Sequence, residues 1–185
     1  MKIGCVILAG GKSSRMGSDK ALLEINNKTF IENIMEEFND FDEKIIARGN
    51  NSCIDNSSWI VVSDEYKDCG PIGGIHKALS VCHLDALFFT TCDMPFIKKS
   101  IVDKLYQFID DYDAVIVKDC HDRVHPLCGI YKKSVLHVVE NQILSHDYRI
   151  MHIFDKIKVK YVVIDSSEYE LLLNINTLED YKKIK

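Results

Sequence analysis

Residues 3–20 read Ile3-Gly4-Cys5-Val6-Ile7-Leu8-Ala9-Gly10-Gly11-Lys12-Ser13-Ser14-Arg15-Met16-Gly17-Ser18-Asp19-Lys20. The apolar run Ile3–Leu8 is expected to be a short strand covered on both faces, as in a parallel sheet. It feeds a glycine pair, small polar residues, Arg15 and Lys20. Glycines let the chain turn sharply and bring backbone N–H groups against a ligand with no Cβ between them. Successive N–H groups in such a turn form an anion-binding nest, and Lys12, Arg15 and Lys20 add positive charge to it. The segment reads as a loop that holds a polyphosphate. A plain glycine turn with solvated charges is the alternative that the loop alone leaves open.

Two familiar phosphate loops do not fit. A P-loop needs a glycine five residues before its Gly-Lys-Ser; with Gly11-Lys12-Ser13 that place is held by Val6. The dinucleotide fingerprint G-x-G-x-x-G fails on the spacing of Gly10, Gly11 and Gly17.

The 185 residues suit a single domain over 1–185, with 46% hydrophobic and 28% charged residues as in ordinary globular chains. A net charge of −5 gives no bulk electrostatic case for nucleic acid or an anionic membrane. No apolar run approaches the ~20 residues that span a bilayer. The apolar stretch 3–9 is followed at once by charge, unlike a secretory signal, so a cytoplasmic location is expected. Seven cysteines form no tight pairing pattern and read as free thiols, several of them buried. The cluster Cys120, His121, His125 and Cys128 does not match a common zinc spacing. Its middle reads as strand, where alternate side chains diverge.

Strands and helices alternate along the chain without repeats or Pro/Gly/Ser linkers. Leu22–Ile25 reads as an extended piece turning at Asn26-Asn27-Lys28. Thr29 is expected to cap a helix bearing Phe30, Ile34, Met35, Phe38 and Phe41, with Glu32 completing a capping box. Strands are expected at 44–47, 59–62, 86–92, 114–118, 123–131, 159–164 and 171–174. Helices are expected from Gly70 to Cys82, from a Ser100 cap to about Asp110, over 134–156 with a break near Ser145, and after a Thr177 cap. This order predicts a three-layer, doubly wound, mostly parallel α/β sheet. Such sheets bind ligands beyond the carboxyl ends of their strands. Gly10–Lys20, Ser63-Asp64 and Asp93 fall there.

Asp93 ends an apolar strand and precedes Met94-Pro95-Phe96. A carboxylate there is costly unless paired or metal-bound, and one carboxylate plus substrate phosphates is a common Mg²⁺ site. A turn-capping Asp is the other reading. Asp64 holds a similar place and is equally well explained as a turn former. Gly70-Pro71-Ile72-Gly73-Gly74 opens a helix whose free N–H groups favour anions, or is a plain helix start with proline in the first turn. Asn174 and Asn176 are expected on one strand face, with Asn176 or Thr177 capping the next helix. His125-Pro126 lies in a strand, where a histidine is more often structural than catalytic. His137, His146 and His152 suggest only surface packing.

Taken together, several motifs resemble the molybdenum cofactor guanylyltransferase family. They are Leu8-Ala9-Gly10-Gly11-x-x-x-Arg15-Met16-Gly17-x-Asp19-Lys20, Gly70-Pro71-x-x-Gly74, Cys92-Asp93-Met94-Pro95-Phe96, His125-Pro126-Leu127 and Asn174-Ile175-Asn176-Thr177, in family order from residue 3 to the C-terminus. The resemblance implies a Rossmann-like nucleotidyltransferase (glycosyltransferase-A-like) fold. It implies GMP transfer from GTP to the terminal phosphate of molybdenum-molybdopterin, with Mg²⁺ as cofactor and pyrophosphate released. Leu8, Ala9, Gly10 and Gly11 would bind the nucleotide, the first three holding guanine and ribose through their backbone. Arg15 and Lys20 would bind the phosphates, Asp64 would contact the nucleotide, and Asp93 would hold Mg²⁺. Gly74, His125, Asn174 and Asn176 would face the pterin. The implied partners are GTP and molybdenum-molybdopterin, with transient contact to proteins that supply molybdopterin or mature molybdoenzymes.

Related cytidylyltransferases and sugar nucleotidyltransferases usually read Leu-Ala-Ala-Gly. Gly10 instead leaves room beside the base for a purine. The alternatives are a molybdopterin cytidylyltransferase, a sugar-phosphate nucleotidyltransferase of the same fold, or a non-catalytic nucleotide binder. Retention of Arg15, Lys20 and Asp93 together argues against the last. The sequence leaves the oligomeric state open. Replacing Lys20 by Ala should weaken GTP binding by about 1.5–3 kcal/mol, the size of a charge-assisted phosphate contact. Calorimetric titration tests this, and an unchanged affinity would end the phosphate-loop reading.

Overall fold

The computed structural model of the chain describes residues 1–10, 20–48 and 58–184. The strands are β1 Ile3–Leu8, β2 Glu24–Ile25, β3 Lys28–Thr29, β4 Lys44–Ala47, β5 Ile60–Val62, β6 Ala86–Thr91, β7 Ala114–Lys118, β8 Val124–Lys132 and β9 Val159–Val163. The helices are α1 Phe30–Glu37, α2 Pro71–Val81, α3 Lys99–Tyr106, α4 Leu136–Leu144, α5 Met151–Phe154 and α6 Leu178–Ile184. The main sheet has the order β5-β4-β1-β6-β8-β7-β9. Only β8 runs antiparallel to its neighbours; the other pairings are parallel.

The twofold alternation of a strand sorts its side chains into two layers. Cys5 and Ile7 of β1 face a core shared with α1 and α3, while Val6 and Leu8 face one shared with α2, α4 and α5. Both faces are therefore apolar and β1 is buried almost throughout. The expected three-layer, doubly wound arrangement is the one present. From β1 the chain winds through β4 to β5, then returns by α2 to β6 on the other side of β1. The switch in winding direction lies between β1 and β6. Among the described residues, no helix is long and apolar enough to cross a membrane.

Local signals act largely as read. Thr29 Oγ1 accepts the Glu32 N–H at 3.3 Å, and a Glu32 carboxylate oxygen accepts the Thr29 N–H at 2.7 Å, which closes the capping box of α1. Asn26 and Asn27 take positive φ between β2 and β3, as a tight hairpin requires. Two expectations fail. Helix α3 begins at Lys99, not after a Ser100 cap: the Glu37 carboxylate of α1 accepts the Lys99 N–H at 2.9 Å and caps the helix from outside. Residues 171–174 do not form a strand. Ser166–Leu172 is a 3₁₀ helix whose three-residue turn drops Leu172 into the α1–α3 core while Tyr169 packs edge-on against His121. The apolar run that suggests a strand there serves layer packing instead.

In the β7–β8 ladder the register jumps from Ile116–Gly129 to Val117–His125, so Pro126-Leu127-Cys128 bulges out. Proline cannot donate to a ladder and is at home in a bulge. A Cβ on Gly129 would lie 2.7 Å from the Val115 carbonyl and 2.6 Å from Ile116 Cδ1. Gly129→Ala should therefore destabilise the fold by about 1–3 kcal/mol, a fall in melting temperature of several degrees that a thermal scan would detect.

Candidate functional site

The polar motifs converge on the carboxyl edge of the sheet around the switch point. β1 ends with Leu8 and Ala9 buried and Gly10 exposed. The Cys92 N–H donates to the Leu8 carbonyl at 3.1 Å, and the Ala9 N–H donates to the Ala47 carbonyl at 2.9 Å. Those groups are spent on extending the sheet, which leaves Gly10 to present bare backbone at the edge. Gly11, Lys12, Arg15, Met16, Gly17 and Asp19 lie outside the described residues. Lys20 opens the short 3₁₀ turn Lys20–Leu22.

Asp93 follows β6. The Thr91 hydroxyl donates to its Oδ1, and its backbone carbonyl accepts the Ile175 N–H at 2.8 Å. Met94 N–H closes the turn onto the Thr91 carbonyl at 3.1 Å, with Met94 and Pro95 buried beneath. Asp93 lies in the turn that ends β6, and the fold of that turn brings its carboxylate back onto the Thr91 hydroxyl.

Asp64 follows β5 and is half-buried, and burial pushes its carboxyl above the ordinary carboxylate value. Its oxygens lie 3.3 Å and 3.6 Å from where Cβ atoms on Gly73 and Gly74 would stand. The carboxylate thus rests on the bare backbone of the first turn of α2. Gly70 takes φ +69°, a conformation glycine adopts without strain, and Pro71 starts the helix. A Cβ on Gly74 would also approach Leu8 Cδ2 to 3.0 Å and Ala47 Cβ to 3.4 Å. Glycine there seats α2 on the ends of β1 and β4. Gly74 therefore touches Leu8 and Asp64, residues read as the nucleotide side, whatever else it faces.

His125 is buried, with Nε2 2.9 Å from Asp119 Oδ2. Asp119 Oδ1 accepts the N–H groups of His121 at 2.9 Å and Arg123 at 3.0 Å. Burial alone would raise the Asp119 carboxyl, but the bonds from His125, Arg123 and His121 outweigh it and hold it below the ordinary range. His125 is thus tied inward, and with the Tyr131 hydroxyl on the Pro126 carbonyl it fixes the bulge at the start of β8. Cys128 is fully buried and Cys120 exposed, so the Cys120–Cys128 cluster does not converge. The Asn174–Thr177 segment is not the strand expected. Ile175 is buried against Ile25 and Phe30, Asn174 donates to the Leu172 carbonyl at 3.3 Å, and Asn176 is exposed. Thr177 Oγ1 accepts the Asp180 N–H at 3.1 Å and starts α6, as expected for a Thr177 cap.

Asp64, Gly10 and Asp93 therefore line one edge in the order of β5, β1 and β6. Three strand spacings separate β5 from β6, roughly 14 Å, a span that suits an extended nucleoside triphosphate. Arg48, unnoticed in the sequence, also sits on this edge. It is buried, and its N–H donates to the Val62 carbonyl at 2.9 Å. Its signal is a charged residue ending an apolar strand, the same that marks Asp93.

Residues 5–160 match a family described as a MobA-like NTP transferase domain. A Clostridium perfringens protein named "Probable molybdenum cofactor guanylyltransferase" is 35% identical over 192 residues, covering 100% of this chain and 96% of the relative. A molybdenum cofactor guanylyltransferase of Vibrio parahaemolyticus is 33% identical over 178 residues, covering 95% of this chain and 91% of the relative. Among solved structures, the molybdopterin-guanine dinucleotide biosynthesis protein A of Archaeoglobus fulgidus superposes with a TM-score of 0.82 at 26% identity. It covers 100% of this chain and 96% of that one.

The lowered Asp119 carboxyl carries a pH consequence. Its stabilisation is complete above the unfolded value of about 3.9 and is lost as pH falls through the lower folded value. Resistance to urea unfolding should fall below about pH 4, and Asp119→Asn, already less stable at neutral pH, should lose less over that window.

Proposed function

The chain belongs to the molybdenum cofactor guanylyltransferase family and is a nucleotidyltransferase; we propose that it transfers GMP from GTP to the terminal phosphate of molybdenum-molybdopterin and releases pyrophosphate. The observation that carries this reading is the placement of Asp93 across from Gly10 at the switch point between β1 and β6. A base and ribose resting on the bare backbone at Gly10 would direct the triphosphate toward Asp93. Gly10 leaves the width a purine needs. Asp64, on the far side of Gly10, accepts hydrogen bonds from the nucleotide.

The donor chemistry at Asp93 fits Mg²⁺. A carboxylate has four lone-pair sites, and the hydroxyl of Thr91 takes one of them while fixing the group's orientation. No three His, Cys, Asp or Glu side chains converge among the described residues, so a cation held by Asp93 would complete its shell with phosphate oxygens and water, as Mg²⁺ commonly does. When bound, it would neutralise charge on the phosphates and polarise the α-phosphoryl group.

The acceptor phosphate oxygen attacks the α-phosphorus, a new P–O bond forms, and the bond to the pyrophosphate leaving group breaks. The nucleophile is already an anion, so the chain need not supply a general base. Positioning and charge neutralisation suffice. Arg15 and Lys20 stabilise the departing pyrophosphate. The Asn174 segment, tied to Asp93 through the Ile175 N–H, and the Pro126-Leu127-Cys128 bulge would border the acceptor side.

Titration of the purified protein with GTP, CTP, ATP and UTP in the presence of Mg²⁺ tests the nucleotide. Selective GTP binding is expected; selective CTP or UTP binding would move the chain to a neighbouring activity, and no binding would defeat the reading. Asp93→Asn should fold normally and lose GMP transfer by about 10²–10³-fold. Near-normal turnover would remove Asp93 from the mechanism.

A further inference from the structure

Behind the site, α2 carries a histidine that the mechanism does not use. His76 is buried on the face of α2 that packs against α4. Its Nε2 lies 3.9 Å from Glu140 Oε1 of α4, and its Nδ1 is buried without a hydrogen-bond partner among the described residues. An apolar side chain would fill the same place with no unsatisfied nitrogen. A buried polar group left short of a partner calls for a reason beyond packing.

The reason lies in what the ring touches. The Tyr66 ring meets His76 edge-on, with ring centres 5.0 Å apart at 76°. Burial and the nearby Glu140 carboxylate push the Tyr66 hydroxyl above its ordinary value. Tyr66 belongs to the connection from β5 to α2 and stands two residues after Asp64. Its carbonyl oxygen lies 3.0 Å from where a Cβ on Gly73 would stand, beside the Asp64 oxygen at 3.3 Å. Asp64 and Tyr66 thus press on one patch of glycine backbone. The Tyr66–His76–Glu140 triangle clamps the middle of that connection, with the Lys77–Glu65 pair at its rim, 3.5 Å apart.

We infer that His76 is a positioning residue for nucleotide binding: with Glu140 it holds Tyr66, and through Tyr66 it fixes Asp64 against the first turn of α2. The inference rests on the reading of Asp64 as a nucleotide contact. His76 never touches the nucleotide. It acts by removing alternative conformations of residues 63–69, so that the Asp64 carboxylate need not be ordered when the ligand arrives.

The test is a double-mutant cycle read by GTP titration with Mg²⁺. Asp64→Asn and His76→Leu should each weaken GTP binding, His76→Leu by roughly five- to tenfold. The double variant should bind no worse than Asp64→Asn alone. Hydrogen exchange should rise at 63–70 in His76→Leu while β1 and α4 keep their protection. His76→Gln, which retains an N–H toward Glu140, should recover most of the affinity. Should His76→Leu fail to fold, Tyr66→Phe removes only the hydroxyl and should still weaken binding a few-fold. Additive losses, an unchanged affinity in both His76→Leu and Tyr66→Phe, or a uniform rise in exchange would overturn the inference. Unchanged affinity in Asp64→Asn would instead defeat the reading of Asp64 itself, and the inference with it.

Discussion

The Cys92 N–H to Leu8 carbonyl bond, 3.1 Å long, joins β1 to β6 at the last rung before the chain leaves the sheet. The arrangement of the site depends on that rung. It sets the register in which Leu8 faces Thr91, so Gly10 and Asp93 emerge side by side. The chain winds away from β1 in opposite directions on either side of this pair. A one-residue slip would turn Thr91, whose hydroxyl orients Asp93, to the other layer. The register is held because both faces of β1 and β6 are buried in apolar cores that a slipped strand would not match.

Glycine does two kinds of work around that rung. At Gly10 it leaves backbone bare at the sheet edge. At Gly73 and Gly74 it lets a helix sit on the ends of two strands and lets a carboxylate sit on the helix. Asp64 is half-buried against the first turn of α2, and burial raises its carboxyl.

At the start of β8 the rigidity comes from another buried pair. Asp119 and His125 lock the turn between β7 and β8, and the Tyr131 hydroxyl clamps the bulge at Pro126. A histidine that the sequence offers as a ligand contact thereby becomes the anchor of the segment that follows it. Pro126 and Leu127 keep a fixed shape next to the end of β6.

The sequence by itself determined the parallel α/β class, because apolar runs without a polar alternate require cover on both faces. It determined the capping box at Thr29 and Glu32, the proline-started helix at Pro71 and the carboxylates at strand ends, because these signals are local. Its errors at Ser100 and at 171–174 have a common cause. The Glu37 carboxylate that caps α3 and the core that receives Leu172 belong to distant parts of the chain, and local pattern does not contain them. Only the tertiary structure decided that β8 runs against the sheet, that His125 turns inward to Asp119, that Ile175 ties the asparagine segment to Asp93, and that His76 and Tyr66 back the Asp64 connection. Each is a contact between residues whose separation in sequence is set by topology, and topology is chosen by the packing of whole layers rather than by any one segment.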